Sequence, residues 1–274
     1  MTRLLPKEPV IAALDEEWSS LLELLEGLDD AAWDSATPCP GWDVRAAVAH
    51  IIGTESMLIG IDPPAGGDAD AERPAHVRND IGAFNESWVT GLATAPPADL
   101  VARLRELTTA RLDTLRSMDP VAWDAEGFTP VGRDTHGRFM RIRVFDCWMH
   151  ELDIRDAIGR PGHESGPAVE LALDEMTESL GYVVGKKAGT PAGSAVQFEL
   201  TGPSGRTISI DVAERATVVE SLAGPPTATL RMPVGTFARL AGGRVDPASV
   251  ADQVELEGDV ELGRRVVDNL AFTI

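Results

Sequence analysis

One short stretch carries most of the side chains in this sequence that are suited to chemistry. Asp146, His150 and Asp153 follow one another at spacings of four and three. A helix turns by about 100° per residue, so it places all three on one face with Arg143 beside them. A carboxylate and an imidazole four residues apart can bind one metal ion. Two ligands do not complete a site, because first-row metals usually take three from the protein.

His50 is the best candidate for the third ligand. It lies at the edge of the apolar stripe of another predicted helix, from where it would face a crevice between helices. A second interpretation needs no metal. In it, His50 and His150 are partly buried and bonded to carboxylates, while the two aspartates pair with Arg143 and Arg155. The spacing alone favours this second interpretation, because a two-ligand spacing often arises by chance.

The other reactive residue types give weaker signals. Cys147 lies about 100° round the helix from Asp146 and is predicted to be a small core residue. Cys39 lies in a turn of the sequence with no adjacent His or Lys to lower its pKa, so neither cysteine is proposed as a nucleophile. His76 and His136 are interpreted as solvent-exposed histidines.

Helical periodicity dominates the first half of the chain. Apolar residues recur there at spacings of three and four, which is typical of helices with one buried face. Asp43 is a good N-cap for the second helix, and Gly159 and Pro161 are stop signals after the fifth. The pattern predicts a bundle of helices over residues 10–28, 43–58, 76–92, 98–118 and 139–158.

Two intervening segments have no sustained periodicity. Residues 61–74 have the Gly, Pro and acidic content of a mobile loop, interpreted as a lid or a linker. Residues 119–138 are predicted to be a long connection, which in a compact domain often borders a site.

The pattern changes after Pro161. Residues 196–200 and 207–212 alternate at period two around a predicted hairpin turn. We therefore expect an α+β protein, with a helical bundle over 1–162 and a smaller α+β domain with a mainly antiparallel sheet over 163–274. The remaining elements of that domain are predicted as helices over 167–187, 234–241 and 260–270 and strands over 216–222, 228–232 and 254–257.

Composition limits the partners of this chain. Its 274 residues carry 24 Lys+Arg and 44 Asp+Glu, which gives a formal net charge of −20. This charge repels phosphate backbones and anionic lipids, so no nucleic acid or membrane partner is expected. The 2 cysteines are too few for a disulfide framework, and such low cysteine content is typical of proteins in a reducing compartment. We expect a cytoplasmic protein that acts on small molecules, as a monomer.

Several motifs resemble those of the mycothiol-dependent maleylpyruvate isomerase family. The sequence TPCPGWDVRAAVAH occupies residues 37–50, and DCWMHELDIR occupies 146–155, followed by GRP at 159–161. The stretches LRMP at 230–233 and EGDVELGRRVVDNL at 257–270 are similar to the sterol-carrier-like domain that often accompanies the family's bundle. The resemblance implies a DinB-like four-helix bundle followed by a sterol-carrier-like α+β domain.

The resemblance also implies a metal site. In the family a divalent metal, usually zinc, is held by a His of the second helix and by an acidic residue and a His four apart on a later helix. These positions correspond to His50, Asp146 and His150. Asp146 departs from the family pattern, which most often has Glu. Arg143 or Arg155 is the candidate for binding a substrate carboxylate.

The activity implied by the resemblance is thiol chemistry. Such an enzyme uses mycothiol, the small cytoplasmic thiol of actinobacteria, to isomerise or S-conjugate a small electrophilic substrate of the maleylpyruvate type. Two alternatives stay open. One is a non-catalytic protein with a degenerate metal site, which binds a hydrophobic ligand or has a regulatory role. The other is a metal-dependent hydrolase, in which the metal activates water.

Overall fold

The computed structural model describes residues 4–64 and 74–273. The chain divides into two compact units, Met1–His163 and Glu164–Ile274. One unit is helical and the other combines helices with a sheet, so the predicted α+β class is confirmed. Most of the predicted loop over 61–74 lies outside the described residues.

The first unit is a helical bundle, as the apolar stripes predict. Leucine, valine, isoleucine and tryptophan side chains on the facing sides of the helices form its core. All five predicted long helices are present, with ends that differ by a few residues. The helices are α1 (Lys7–Glu26), α2 (Val44–Met57), α3 (Asp80–Leu92), α4 (Pro97–Ser117), the short α5 (Pro120–Trp123) and α6 (His136–Ala157).

Side-chain caps set where α2 and α6 begin. The Asp43 carboxylate accepts a hydrogen bond from the backbone N–H of Ala46, as its predicted capping role requires. The Thr135 hydroxyl accepts one from the backbone N–H of Arg138. Helix α6 therefore begins at His136, three residues before the predicted start.

The prediction of a connection without regular structure over 119–138 is wrong. This segment contains α5 and a hairpin of two strands, β1 (Glu126–Thr129) and β2 (Gly132–Thr135). Each strand has only four residues, mostly exposed, so neither produces a readable alternation of apolar and polar positions.

A close approach between α2 and α3 fixes the position of α2. A Cβ atom at Gly53 would lie 2.4 Å from Cγ of Trp88, which is fully buried. Only glycine allows the two helices to approach this closely.

The second unit is a five-stranded sheet with helices. The elements are α7 (Pro167–Tyr182), a π-helical turn (Val183–Lys187), β3 (Ser194–Thr201), β4 (Thr207–Val212), β5 (Ala216–Val219), β6 (Ala228–Pro233), α8 (Val234–Ala241), a 3-10 segment (Pro247–Gln253), β7 (Glu255–Gly258) and α9 (Val260–Asp268). The strand order is β5-β4-β3-β6-β7. The β3–β6 pair is parallel and the other pairs are antiparallel, so the predicted mainly antiparallel sheet is confirmed.

Within the described residues, no helix combines the length and the apolar character needed to span a membrane.

Candidate metal centre

Helices α2 and α6 bring together the three residues proposed as metal ligands. One ligand atom from each of His50, Asp146 and His150 lies within 4.8 Å of the other two. His50 Nε2 is 3.0 Å from Asp146 Oδ2, and His150 Nε2 is 3.9 Å from Asp146 Oδ1. Donor atoms about 2.0–2.2 Å from a tetrahedral zinc lie about 3.3–3.6 Å apart. The observed separations of 3.0 and 3.9 Å lie just below and just above this range, so the cluster approaches the spacing that one shared ion requires.

The cluster is closed on its histidine side and open at the carboxylate. The side chains of His50 and His150 are 5% and 7% exposed, whereas Asp146 is 30% exposed. A small molecule would therefore approach the cluster past Asp146, and the two imidazoles would be shielded from bulk water.

Asp153 orients the second histidine. Its Oδ2 lies 3.1 Å from His150 Nδ1, and its side chain is 1% exposed. A carboxylate in this position accepts a hydrogen bond from Nδ1–H and leaves the lone pair of Nε2 facing Asp146. Arg155, which the metal-free interpretation pairs with Asp153, instead donates to Glu151 Oε1 at 2.7 Å.

The Arg143 side chain is buried inside the bundle, where a substrate carboxylate would not reach it. Its Nε donates to Glu55 Oε1 at 2.8 Å, one terminal nitrogen donates to Asp146, and the other donates to the sulfur of Cys147 at 3.3 Å. Its side chain is 3% exposed. All three guanidinium nitrogens are thus engaged inside the bundle, so the expectation that Arg143 grips a substrate carboxylate is corrected. Arg143 instead holds the Asp146 carboxylate.

A buried carboxylate beneath the cluster anchors Arg143. Glu55 is fully buried, and its second oxygen accepts a hydrogen bond from Arg111 Nε at 2.9 Å. The sequence reasoning missed this pair. The available signal was a charged residue, Glu55, in the middle of the apolar stripe of α2, where an unpaired charge is too costly to bury.

The charges of the site favour the protonation states that bind a cation. Burial opposes ionisation of Asp146, but the Arg143 guanidinium and the hydrogen bond from His50 hold the pKa of Asp146 well below its ordinary value. Burial lowers the pKa of His50 although Asp146 acts in the opposite sense. At neutral pH the carboxylate is therefore charged and the His50 imidazole is neutral.

A tryptophan from the first sequence motif covers both imidazoles. The Trp42 ring centroid is 5.1 Å from that of His50 and 5.5 Å from that of His150, and the two imidazole centroids are 4.8 Å apart. The Trp42 indole N–H donates to Glu86 Oε2 at 3.3 Å, and the same oxygen lies 3.0 Å from His76 Nε2. His76, interpreted from the sequence as exposed, is half-buried here and helps to hold the tryptophan.

The two cysteines differ in their relation to the cluster. Cys147 is buried, which agrees with the predicted core role, and burial raises the pKa of its thiol. Cys39 has no histidine beside it in the sequence, but its sulfur lies within 4.8 Å of ligand atoms of His150 and Asp153. The turn before α2 brings it there, and sequence adjacency gives no signal of that contact.

The fold and the site together define a class of protein: a helical bundle with a cluster of two histidines and one aspartate, followed by an α+β unit. The family model described as "Mycothiol maleylpyruvate isomerase N-terminal domain" matches residues 14–155. The model described as "MDMPI C-terminal domain" matches residues 170–265. The chain belongs to the mycothiol maleylpyruvate isomerase family.

Two relatives and two solved structures align with most of this chain. Two uncharacterized proteins of Mycobacterium tuberculosis, from the CDC 1551 and H37Rv strains, are each 28% identical over 218 residues, covering 76% of this chain and 80% of theirs. The crystal structure of the mycothiol-dependent maleylpyruvate isomerase has a TM-score of 0.55 at 19% identity, and that of its histidine-to-alanine mutant has 0.57 at 18%. Each match covers 92% of this chain and 93% of the other, and each shows a shared fold.

Proposed function

We propose that this chain is a metal-dependent enzyme that uses mycothiol as cofactor or cosubstrate. Its reaction is the isomerisation or S-conjugation of a small electrophilic substrate of the maleylpyruvate type, in the cytoplasm. The observation that carries the proposal is the convergence of His50, Asp146 and His150 from two helices on one shared position. Family membership supports mycothiol as the thiol.

The donor set fits a divalent metal, with zinc as our proposal. Two imidazole nitrogens and one carboxylate oxygen are ligands that zinc accepts, and three protein ligands leave a position for a further group. When bound, such an ion lowers the pKa of a thiol so that the thiolate forms at neutral pH. We place the metal in the bundle over residues 1–162 and assign 163–274 to a separate domain.

The protein's own groups prepare this position. Arg143 keeps the Asp146 carboxylate charged and aimed at the two histidines. Asp153 sets the orientation of His150. Trp42 lies against both imidazoles and excludes water from their covered side. The exposed edge of Asp146 leaves room for a thiol and a substrate to approach.

The test starts with elemental analysis of protein purified without chelator. We expect His50→Ala and His150→Ala each to bind about one zinc or similar ion per chain fewer than wild type. Turnover of maleylpyruvate in the presence of mycothiol should be lost in the same two variants. His136→Gln is the control, because it removes a histidine outside the cluster and should retain both metal and turnover.

Each alternative function has its own outcome in this experiment. Absence of metal at the His50 cluster even after zinc is added would favour a non-catalytic, ligand-binding protein with a degenerate site. Metal-dependent turnover that does not need mycothiol would favour a hydrolase. Retained turnover in His150→Ala would contradict the proposed ligand set.

A further inference from the structure

A second group of titratable side chains lies in the bundle outside the His50 cluster. Glu17 of α1, Glu151 of α6 and His163, which follows α6, each place one ligand atom within 4.8 Å of the other two. The two glutamate side chains are fully buried and that of His163 is 7% exposed. None of these residues has a role in the proposed thiol chemistry.

Glu151 divides its two oxygens between different neighbours. Oε1 accepts hydrogen bonds from Ser20 at 2.8 Å and from Arg155 at 2.7 Å. Oε2 points to the other side, where it lies 2.8 Å from His163 Nδ1. One oxygen is therefore committed to a cation of the protein, and the other to His163.

Glu17 is the least compensated member of this group. Among the described residues, no donor group gives a hydrogen bond to either of its carboxyl oxygens, although both are buried. Its Oε2 lies 3.5 Å from His163 Nδ1. A buried carboxylate without a hydrogen bond or a counter-charge is strongly unfavourable, and Arg155 compensates only one of the two glutamates. The Glu17 carboxyl must therefore either keep a proton or share a cation with Glu151 and His163.

We propose that Glu17, Glu151 and His163 form a second, structural site for a divalent transition-metal cation. The separation of 3.5 Å between Glu17 Oε2 and His163 Nδ1 lies within the range of about 3.3–3.6 Å for donor atoms around one tetrahedral ion. The 2.8 Å hydrogen bond between Glu151 Oε2 and His163 Nδ1 would lengthen when an ion takes the place of its proton. Glu17 Oε2, Glu151 Oε2 and His163 Nδ1 offer three donor atoms. This oxygen-rich set with one imidazole suits zinc or manganese, and its burial is typical of a structural site. An ion here joins α1 to the end of α6.

The competing occupant is a proton shared between the two glutamates. Metal stoichiometry separates the two cases. The full chain, stripped with chelator, is dialysed against Zn²⁺ and freed of unbound ion, and bound zinc is then measured by elemental analysis. We expect the His50→Ala protein to retain about one ion per chain, and the His50→Ala/Glu17→Gln protein to retain none.

Glu23→Gln in the His50→Ala background is the matched control. It makes the same chemical change at an exposed position of α1 and should leave zinc binding unchanged. His163→Asn is a second route to the same result, because asparagine tolerates the positive φ of 52° at this position while the imidazole is lost. We expect it to abolish the remaining zinc as Glu17→Gln does.

The test of the second site does not depend on the proposed enzymatic function. If the His50 cluster binds no metal, wild type and His50→Ala should each hold about one zinc, and Glu17→Gln should remove it. The second site is overturned if His50→Ala binds no zinc while remaining folded by circular dichroism. It is also overturned if Glu17→Gln and His163→Asn leave the zinc content of His50→Ala unchanged.

Discussion

His50 Nε2 lies 3.0 Å from Asp146 Oδ2, although 96 positions separate the two residues in the chain. The first comes from the middle of α2 and the second from the middle of α6, so the packing of these two helices sets the geometry of the candidate site. Because Asp146 carries the only carboxylate of this cluster, its charge is the main electrostatic attraction that the cluster offers to a cation.

Replacement of that charge gives the first prediction. Asp146→Asn keeps the size of the side chain and removes its charge, so we expect zinc affinity to fall by more than the roughly 10–100-fold that loss of an outer-shell partner costs. Isothermal titration of chelator-stripped protein measures the change. Asp156→Asn, later on the same helix, should bind zinc as wild type does. Equal affinity for wild type and Asp146→Asn would exclude Asp146 as a ligand.

Replacement of Asp153 should also lower zinc affinity, but by less. It touches His150 Nδ1 at 3.1 Å, so Asp153→Asn should disturb the orientation of the imidazole without removing a ligand. We expect zinc affinity to fall by about 10–100-fold. The same titration measures it, and Asp146→Asn is the reference for a larger loss. An effect as large as that of Asp146→Asn would mean that Asp153 itself binds the ion.

The buried pair beneath the site contributes to stability. Glu55 accepts hydrogen bonds from Arg111 and Arg143, and removal of its charge leaves two buried guanidinium groups without their shared partner. We expect Glu55→Gln to lower the free energy of unfolding by about 3–5 kcal/mol. Urea unfolding followed by circular dichroism measures it. Glu106→Gln, an exposed change on α4, should alter stability by less than about 0.5 kcal/mol.

The sequence predicts the helices and the metal-ligand candidates because both depend on local spacing. The apolar stripes locate the long helices, and the four-residue interval between Asp146 and His150 places both on one face. The contacts that hold the site join residues far apart in the sequence. Glu55 pairs with Arg143 across 88 positions, and Trp42 reaches Glu86 across 44. Such pairs depend on how helices pack, which periodicity does not encode.

Arg143 illustrates how helical spacing can mislead. The spacing correctly predicts that it lies beside Asp146, but it gives no information about the depth at which a side chain is buried. An arginine near a carboxylate on an exposed surface can bind a substrate. The same arginine at 3% exposure, with Glu55 on its other side, becomes part of the scaffold.

The approach of α2 to α3 gives a prediction about packing. A Cβ at Gly53 would overlap the Trp88 ring, and the ring is enclosed in the core and has no space to move away. We expect Gly53→Ala to destabilise the protein by about 1–3 kcal/mol, even though alanine is the better helix former. Thermal unfolding measures the loss. Gly127→Ala is the control, because nothing lies within 4 Å of its Cβ position.

Glu17 gives a prediction about pH. Burial and the charge of Glu151 raise the pKa of Glu17 well above its ordinary value of 4.5. In metal-free protein the native state therefore keeps a proton that the unfolded chain has already released above pH 4.5. The stabilisation from this proton is complete below that pH and is lost as pH rises through the native pKa.

The comparison of wild type with Glu17→Gln isolates this contribution, because the variant has no proton to lose. In chelator, the free energy of unfolding of wild type minus that of the variant should decrease as pH rises from about 4.5. Urea unfolding at a series of pH values measures it. With zinc bound to Glu17, Glu151 and His163, the sign reverses, since the ion replaces the proton and binds the ionised carboxylate more tightly at higher pH. A pH-independent difference in both conditions would mean that Glu17 is ionised without a cation, contrary to its burial.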